Sequence, residues 1–173
     1  GAYWIARTYE QKNNKDKAKE WFKEASKYMT TYYGQLAFEK IYPGESFSLI
    51  DQPKVSKEYR KKFNKNSLIK LVKLLHELDK TKHAKDLIKH LALLDIKNGS
   101  EILAGELAIE INRYDYAIQV AKKASYEKRF YNKLNYPIIE TPKIVNGKRM
   151  PKPELVLSII RQESEFDKKA NSY

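Results

Sequence analysis

Apolar residues in this chain recur every three or four positions, in blocks of about ten to sixteen residues broken by short polar runs. They almost nowhere alternate with polar ones, so the pattern predicts amphipathic helices and hardly any strand. The first block runs from Ala2 to Glu10. After the polar turn Lys12-Asn13-Asn14, a second block places Ala18, Trp21, Phe22, Ala25 and Met29 on one face. So short a turn implies two antiparallel helices. Further blocks cover Thr31 to Ile41, Ser56 to Phe63, Ser67 to Leu78, Lys82 to Ile96, Glu101 to Ile111 and Tyr114 to Ala124, with Asn66 or Ser67 and Ser100 as candidate N-caps. The expectation is about eight short helices up to residue 133.

Three helix-turn-helix junctions can be superposed in sequence, each placing an alanine early in its second helix. These are Ala18, Ala84 and Ala117, which stand 66 and 33 residues apart. A small residue there lets paired helices approach closely, and a 33-residue step is near the period of helix-pair repeats. Pro43-Gly44 and Pro53 interrupt the middle unit. The expected fold class is therefore all-α, an irregular helical-repeat superhelix, with an irregular helical bundle as the alternative.

From Leu134 onward the composition shifts. Pro137, Pro142, Pro151 and Pro153 fall close together, and Asn146-Gly147 between them signals a turn. Residues 1–133 are thus expected to form a helical scaffold, 134–152 a proline-rich linker and 153–173 the start of another domain. Pro153 suits the first turn of a helix, where its fixed φ and missing N–H cost nothing.

Composition narrows the classes of function. Hydrophobic residues make up 42% and charged residues 32%, with 6 Gly and 6 Pro, which excludes collagen-like and wholly disordered chains. No run of about 18 apolar residues is present, so no transmembrane segment is expected. Zero cysteines exclude disulfides, thiol nucleophiles and cysteine zinc sites. With 34 Lys and Arg against 22 Asp and Glu, the net charge of +12 favours anionic partners without choosing among them. The chain starts inside a periodic segment, Gly1-Ala2-Tyr3-Trp4-Ile5, and so reads as a piece of a longer protein.

The most informative helix is the last, from Pro153 to about Phe166. Val156, Ile159, Ile160, Glu163 and Phe166 follow 3/4 spacing, which sets one carboxylate in line with the stripe expected to face a core or cleft. Ser158, Arg161, Gln162 and Glu165 fall on the other side, making Glu165 the ordinary solvated carboxylate. Two readings of Glu163 follow from spacing alone. Apolar surroundings would raise its pKa and suit it to general-acid work on a glycosidic bond, or it edges the stripe and turns outward.

The run Pro153-Glu154-Leu155-Val156-Leu157-Ser158-Ile159-Ile160-Arg161-Gln162-Glu163-Ser164-Glu165-Phe166 resembles the opening of the catalytic domain of soluble lytic transglycosylases. Upstream, Tyr3-Trp4-Ile5-Ala6-Arg7, Trp21-Phe22 and Tyr32-Tyr33-Gly34-Gln35-Leu36-Ala37 resemble the helical superhelix that precedes that domain. The resemblance implies a helical scaffold carrying a lysozyme-like domain that cleaves the bond from muramic acid to glucosamine in peptidoglycan. It implies that Glu163 is the catalytic acid/base, that Ser164 supports its environment, and that the setting is the bacterial periplasm. One carboxylate suffices because the sugar's own 6-hydroxyl is the nucleophile, unlike the two-carboxylate plan of most glycosidases. The family's Gly-Leu-Met-Gln segment and later cleft residues should follow, yet the sequence stops at Tyr173, so this piece alone is expected to be inactive.

Other residues invite competing readings. His76, His83 and His90 fall seven apart, on the order of 10 Å along a helix, too far for two of them to share one ion. Surface or cap histidines are the expectation, with no metal and no organic cofactor. The thirteen tyrosines, among them Tyr32, Tyr33, Tyr126 and Tyr131, are expected chiefly in the core rather than stacked on sugars or bases. The basic runs from Lys57 to Lys65 and from Lys122 to Arg129 include Glu58 and Glu127 and match no base-reading module, so they read as solvated faces and no nucleic acid is expected. The partner expected from the resemblance is peptidoglycan. A helical-repeat protein-interaction module and a basic nucleic-acid-binding helical domain are the alternative classes.

Overall fold

A computed structural model describes residues 1–46 and 52–171 and is all-α apart from one two-stranded hairpin. It divides into two compact units, residues 1–50 and 51–173. The proline-rich stretch and the last helix both fall within the second.

In the first unit, α1 (Ala2–Gln11), α2 (Lys15–Ser26) and α3 (Tyr32–Ile41) enclose a core of Ala6, Ala18, Phe22, Ala25 and Ala37. Asn14 caps α2, its side chain accepting from the Lys17 N–H at 3.2 Å. This helix stops at Ser26, so Met29, expected on its apolar face, lies beyond its end. Thr31 caps α3 by accepting from the Gly34 N–H at 3.1 Å. Gly34 is required there, because a Cβ would sit 1.9 Å from the carbonyl oxygen of Tyr28.

The second unit contains α4 (Lys57–Asn64), α5 (Ser67–Glu77), α6 (Thr81–Leu93), a 3₁₀ turn (Ile96–Asn98), α7 (Ser100–Glu110), α8 (Tyr114–Ser125), the short α9 (Asn132–Asn135) and α10 (Pro153–Glu163). Its core is centred on α7, which is buried along most of its length, with Glu106 and Glu110 marking the strip that reaches water. Val72, Ile88, Leu91 and Leu134 from the surrounding elements and Ala104 and Ala108 of α7 itself are sealed in this core.

Ala18, Ala84 and Ala117 are all buried, as the repeat reading requires. The backbone carries the same period more sharply. Five residues before each alanine stand Asn13, Asp79 and Asn112, all left-handed, with φ of 55°, 53° and 56°. Each turn closes with the same pair of hydrogen bonds. Asn14, Lys80 and Arg113 donate to the carbonyls of Tyr9, Leu75 and Ala108 at 2.9, 2.8 and 2.8 Å, and each left-handed residue donates three positions back. This is the Schellman ending, shared by all three junctions.

Two local expectations need correction. Ser100 is not an N-cap. It is the first helical residue of α7, and Gly99 precedes it with φ of 95°. Ser100 is fully buried, and its hydroxyl donates to the Ala92 carbonyl at 2.6 Å while accepting from the Asp95 N–H at 3.1 Å, so it ties α6 to α7 instead. The helix expected to reach Ile96 ends at Leu93 and gives way to the 3₁₀ turn. Two elements that periodicity did not reveal are α9, which straddles the expected boundary at residue 133, and, within the proline-rich stretch, the antiparallel pair β1 (Ile144–Val145) and β2 (Lys148–Arg149). Asn146 and Gly147, flagged as a turn, join the strands with φ of 51° and 73°, the combination that suits a two-residue hairpin. No helix among the described residues is long and apolar enough to cross a membrane.

Candidate functional site

Helix α10 begins as its sequence dictates, with Pro153 in the first turn and Glu154 beside the positive end of the helix. What holds it in place is Arg161. Its Nε donates to the Asn135 carbonyl at 2.8 Å and an Nη to the Asn135 side-chain oxygen at 2.7 Å, so the guanidinium grips one residue of α9 at two points. The same guanidinium lies 5.9 Å from the centre of the Tyr136 ring and 3.6 Å from Glu165, which in turn pairs with Lys122 of α8 at 2.9 Å. Burial raises the Tyr136 phenol pKa, and the Arg161 charge pulls it partly back.

Beyond α10, Glu165 and Phe166 are both left-handed, with φ of 50° and 63°, a costly conformation for a bulky side chain. The turn drops Phe166 into a buried position against Tyr114, with ring centres 6.2 Å apart. Asp167 then approaches Arg113 at 3.9 Å and Lys169 pairs with Asp79 at 2.9 Å. The end of α10 is thus tied to the turns that start α6 and α8.

These contacts set which side of α10 is covered: it takes in Val156, Ile160 and Phe166 of the apolar stripe but is rotated toward Leu157 and Arg161, leaving Ile159 and Glu163 outside. Arg161 and Leu157 face a cavity of about 310 Å³ that is also lined by Tyr136, Ile138 and Phe166. Glu163, two residues past Arg161 at about 100° each, points the other way and is exposed. Of its stripe companions Ile159 is 53% exposed, Val156 and Ile160 are half-buried and Phe166 is buried; Leu155, outside the stripe, is also exposed. Glu165, expected to be the solvated carboxylate, is the half-buried and ion-paired one. The physical reason is that the bidentate Arg161 clamp on one side and the Phe166 anchor at the end of the stripe together rotate the helix away from the orientation the stripe alone would give. Ser164 is half-buried and donates to the Ile160 carbonyl at 3.1 Å, closing the last turn directly behind Glu163.

Of the remaining candidates, His83 and His90 are exposed and His76 half-buried, and no group of three His, Cys, Asp or Glu able to hold a metal ion occurs among the described residues. Tyr131 lies in the core, but Tyr32, Tyr33 and Tyr126 are exposed, against the expectation of packing. In the first unit Tyr3 and Tyr33 stack at 5.0 Å, and Trp4 meets both edge-on. The basic runs are partly consumed by ion pairs. Arg60 binds Glu106, and Arg129 binds Glu101 through both carboxylate oxygens at 2.9 and 3.0 Å. Glu101 is 3% exposed and also accepts from the Tyr131 hydroxyl at 2.8 Å. Sequence reasoning passed over this buried network, although a lone glutamate at the head of the otherwise apolar Ile102-Leu103-Ala104-Gly105 segment was its signal.

Compared with known protein families, with curated proteins and with solved structures, the chain finds no significant match in any of the three.

Proposed function

We propose that this chain is part of a peptidoglycan lytic transglycosylase, acting in the bacterial periplasm, in which Glu163 is the single general acid/base. The observation that carries the reading is the run Ile159-Ile160-Arg161-Gln162-Glu163-Ser164 at the end of a helix whose Arg161 is fully engaged and whose Glu163 is left on the accessible side. In this reading the Glu163 carboxyl gives its proton to the glycosidic oxygen between muramic acid and glucosamine as the C1–O bond breaks. The resulting carboxylate takes the proton of the 6-hydroxyl as that oxygen bonds to C1. Glu163 ends in its starting state, the product carries a 1,6-anhydro ring, and no water is added. The step uses no metal or organic cofactor.

A proton donor for this chemistry needs apolar surroundings that keep the carboxyl protonated near neutral pH. The exposed Ile159, one turn before Glu163 on α10, supplies one wall of such surroundings. The remaining walls and the sugar-positioning groups are assigned, in this proposal, to residues outside the chain described, so the chain alone lacks the means to orient a glycan against the acid. Ser164 serves by holding the helix end on which Glu163 stands.

The test is mass spectrometry of the sugars released from purified peptidoglycan by a version extended beyond Tyr173, with and without Glu163→Gln. Anhydro-ended fragments that vanish in the variant are the expected result. An extended, folded protein that releases nothing would overturn the assignment and leave the helical scaffold as a binding module.

A further inference from the structure

A second site lies away from α10, in the cleft where α4, α5 and α7 meet. Glu106 and Glu110 stand one turn apart on α7 and so project from the same face. Each meets a cation from a different helix, Arg60 of α4 with Glu106 and Lys73 of α5 with Glu110. Between and beneath these two pairs is a cavity of about 350 Å³. Its floor is apolar, built from Phe63, Leu103 and Leu107, each no more than 5% exposed.

The two carboxylates stand on α7 and the two cations meet them from α4 and α5, and all four remain substantially in water, with side-chain exposures of 44% and 38% in one pair and 41% and 60% in the other. Ion pairs at that exposure are weak and readily exchange partners. A ligand that brings its own carboxylate and ammonium can replace each pair by two new ones at little net electrostatic cost, while its carbon chain covers the apolar floor. A simple anion or a simple cation cannot do so. Either would satisfy one member of each pair and strand the other beside a like charge, which is the basis of rejection by unpaired charge.

We propose that the cleft between α4, α5 and α7 binds a dipolar ligand with an ammonium and a carboxylate at each end of a short methylene chain, the chemistry of a diaminodicarboxylic acid, free or within a short peptide. The two ion pairs are the two recognition points, and the distance between them is set by one turn of α7. This inference does not depend on the role of Glu163.

The experiment is a titration of the whole chain, labelled for amide NMR, with 2,6-diaminopimelate and with a short peptide containing it. Pimelate and 1,5-diaminopentane, which keep the chain length but carry one sign of charge, are the controls. Saturable shifts confined to α4, α5 and α7, at least tenfold weaker for both controls, are expected. Tighter binding of the peptide than of the free diamino acid would identify the peptide as the natural form, and the reverse would identify the free compound. Lys73→Met and Glu106→Gln should each weaken binding at least tenfold, while Lys73→Arg, which keeps the charge, should retain it. Thermal unfolding by circular dichroism checks that each variant is folded. No saturable shift at millimolar ligand, equal binding of pimelate, or variants that fold and bind normally would each overturn the proposal. Loss of transglycosylase activity in Glu163→Gln would leave this titration unchanged, so the two readings fail separately.

Discussion

Removing Arg129 should destabilise the second unit more than removing the buried charge it serves. Glu101 is 3% exposed and holds three hydrogen bonds, two from Arg129 and one from Tyr131. Arg129→Ala deletes two of them together with the counter-charge and leaves a carboxylate in the interior with a single phenol donor. Breaking a buried pair in this way costs about 3–5 kcal/mol. The lower end applies here, because Glu101 also borders a cavity of about 180 Å³ with Lys89 and Lys123 on its walls, through which water and an ammonium can reach it.

Glu101→Gln strands no charge. Arg129 keeps Glu127 at 2.7 Å and its side chain is 30% exposed, so it rehydrates, and the amide oxygen can still accept from Tyr131. Its cost is that of weakened hydrogen bonds, about 1–2 kcal/mol. The double variant Glu101→Gln with Arg129→Ala should therefore be more stable than Arg129→Ala alone by about 1 kcal/mol or more. Urea unfolding followed by circular dichroism measures this, since a loss of about 3 kcal/mol moves the midpoint by roughly 1–3 M for usual slopes. Costs that simply add in the double variant, or an Arg129→Ala loss under about 1 kcal/mol, would refute the account of a buried, charge-dependent network.

The same network predicts an alkaline signature. Burial, then the hydrogen bond to Glu101 and its charge, push the Tyr131 phenol up to about 12. A folded-state value above the unfolded one of about 10 means that its contribution is complete below pH 10 and is lost as pH rises toward 12. Ultraviolet titration of tyrosinate should show a late-ionising group that disappears in Tyr131→Phe, and stability should fall less steeply above pH 10 in that variant. At the repeated turn, Asn112 is exposed and left-handed, so its effect is one of backbone alone. Asn112→Val should cost about 1–2 kcal/mol in thermal unfolding, while Asn112→Gly should be close to neutral. In the first unit, Gly34→Ala should cost about 1–3 kcal/mol, because the new Cβ meets the Tyr28 backbone and not a movable side chain. Fluorescence reads this directly, since both tryptophans, Trp4 and Trp21, lie in that unit.

The helices of both units were legible in the sequence because 3/4 periodicity reports burial along a helix, and burial is what stabilises it. Ala18, Ala84 and Ala117 were readable for the same reason, since close helix approach leaves room for little else. Ser100 was misread because a serine ahead of an apolar run has two uses, capping its own helix or bonding to a neighbouring one, and only the tertiary fold distinguishes them. The segment α9 and the hairpin were invisible to periodicity because each spans only about one period, and a pattern is recognised only where it repeats.

Helix α10 shows the deeper limit. Spacing correctly grouped Glu163 with Val156, Ile159 and Ile160 and set Arg161 and Glu165 apart from them, but it says which residues share a face and nothing of which face is docked. The docked face is chosen by what each side can reach. An arginine that finds a carbonyl and an amide oxygen on Asn135, a ring at Tyr136 and a carboxylate at Glu165 makes a polar side adhesive. Of the apolar stripe, Phe166 is buried and Val156 and Ile160 are half-buried, while Ile159 stays 53% exposed and keeps its hydrophobic driving force unspent within this chain. A helix anchored through Arg161 and Phe166 that leaves Ile159 and Glu163 uncovered holds that carboxylate in fixed register on the scaffold. It is then available to whatever surface comes to cover it, which is the arrangement the acid/base role proposed for Glu163 requires.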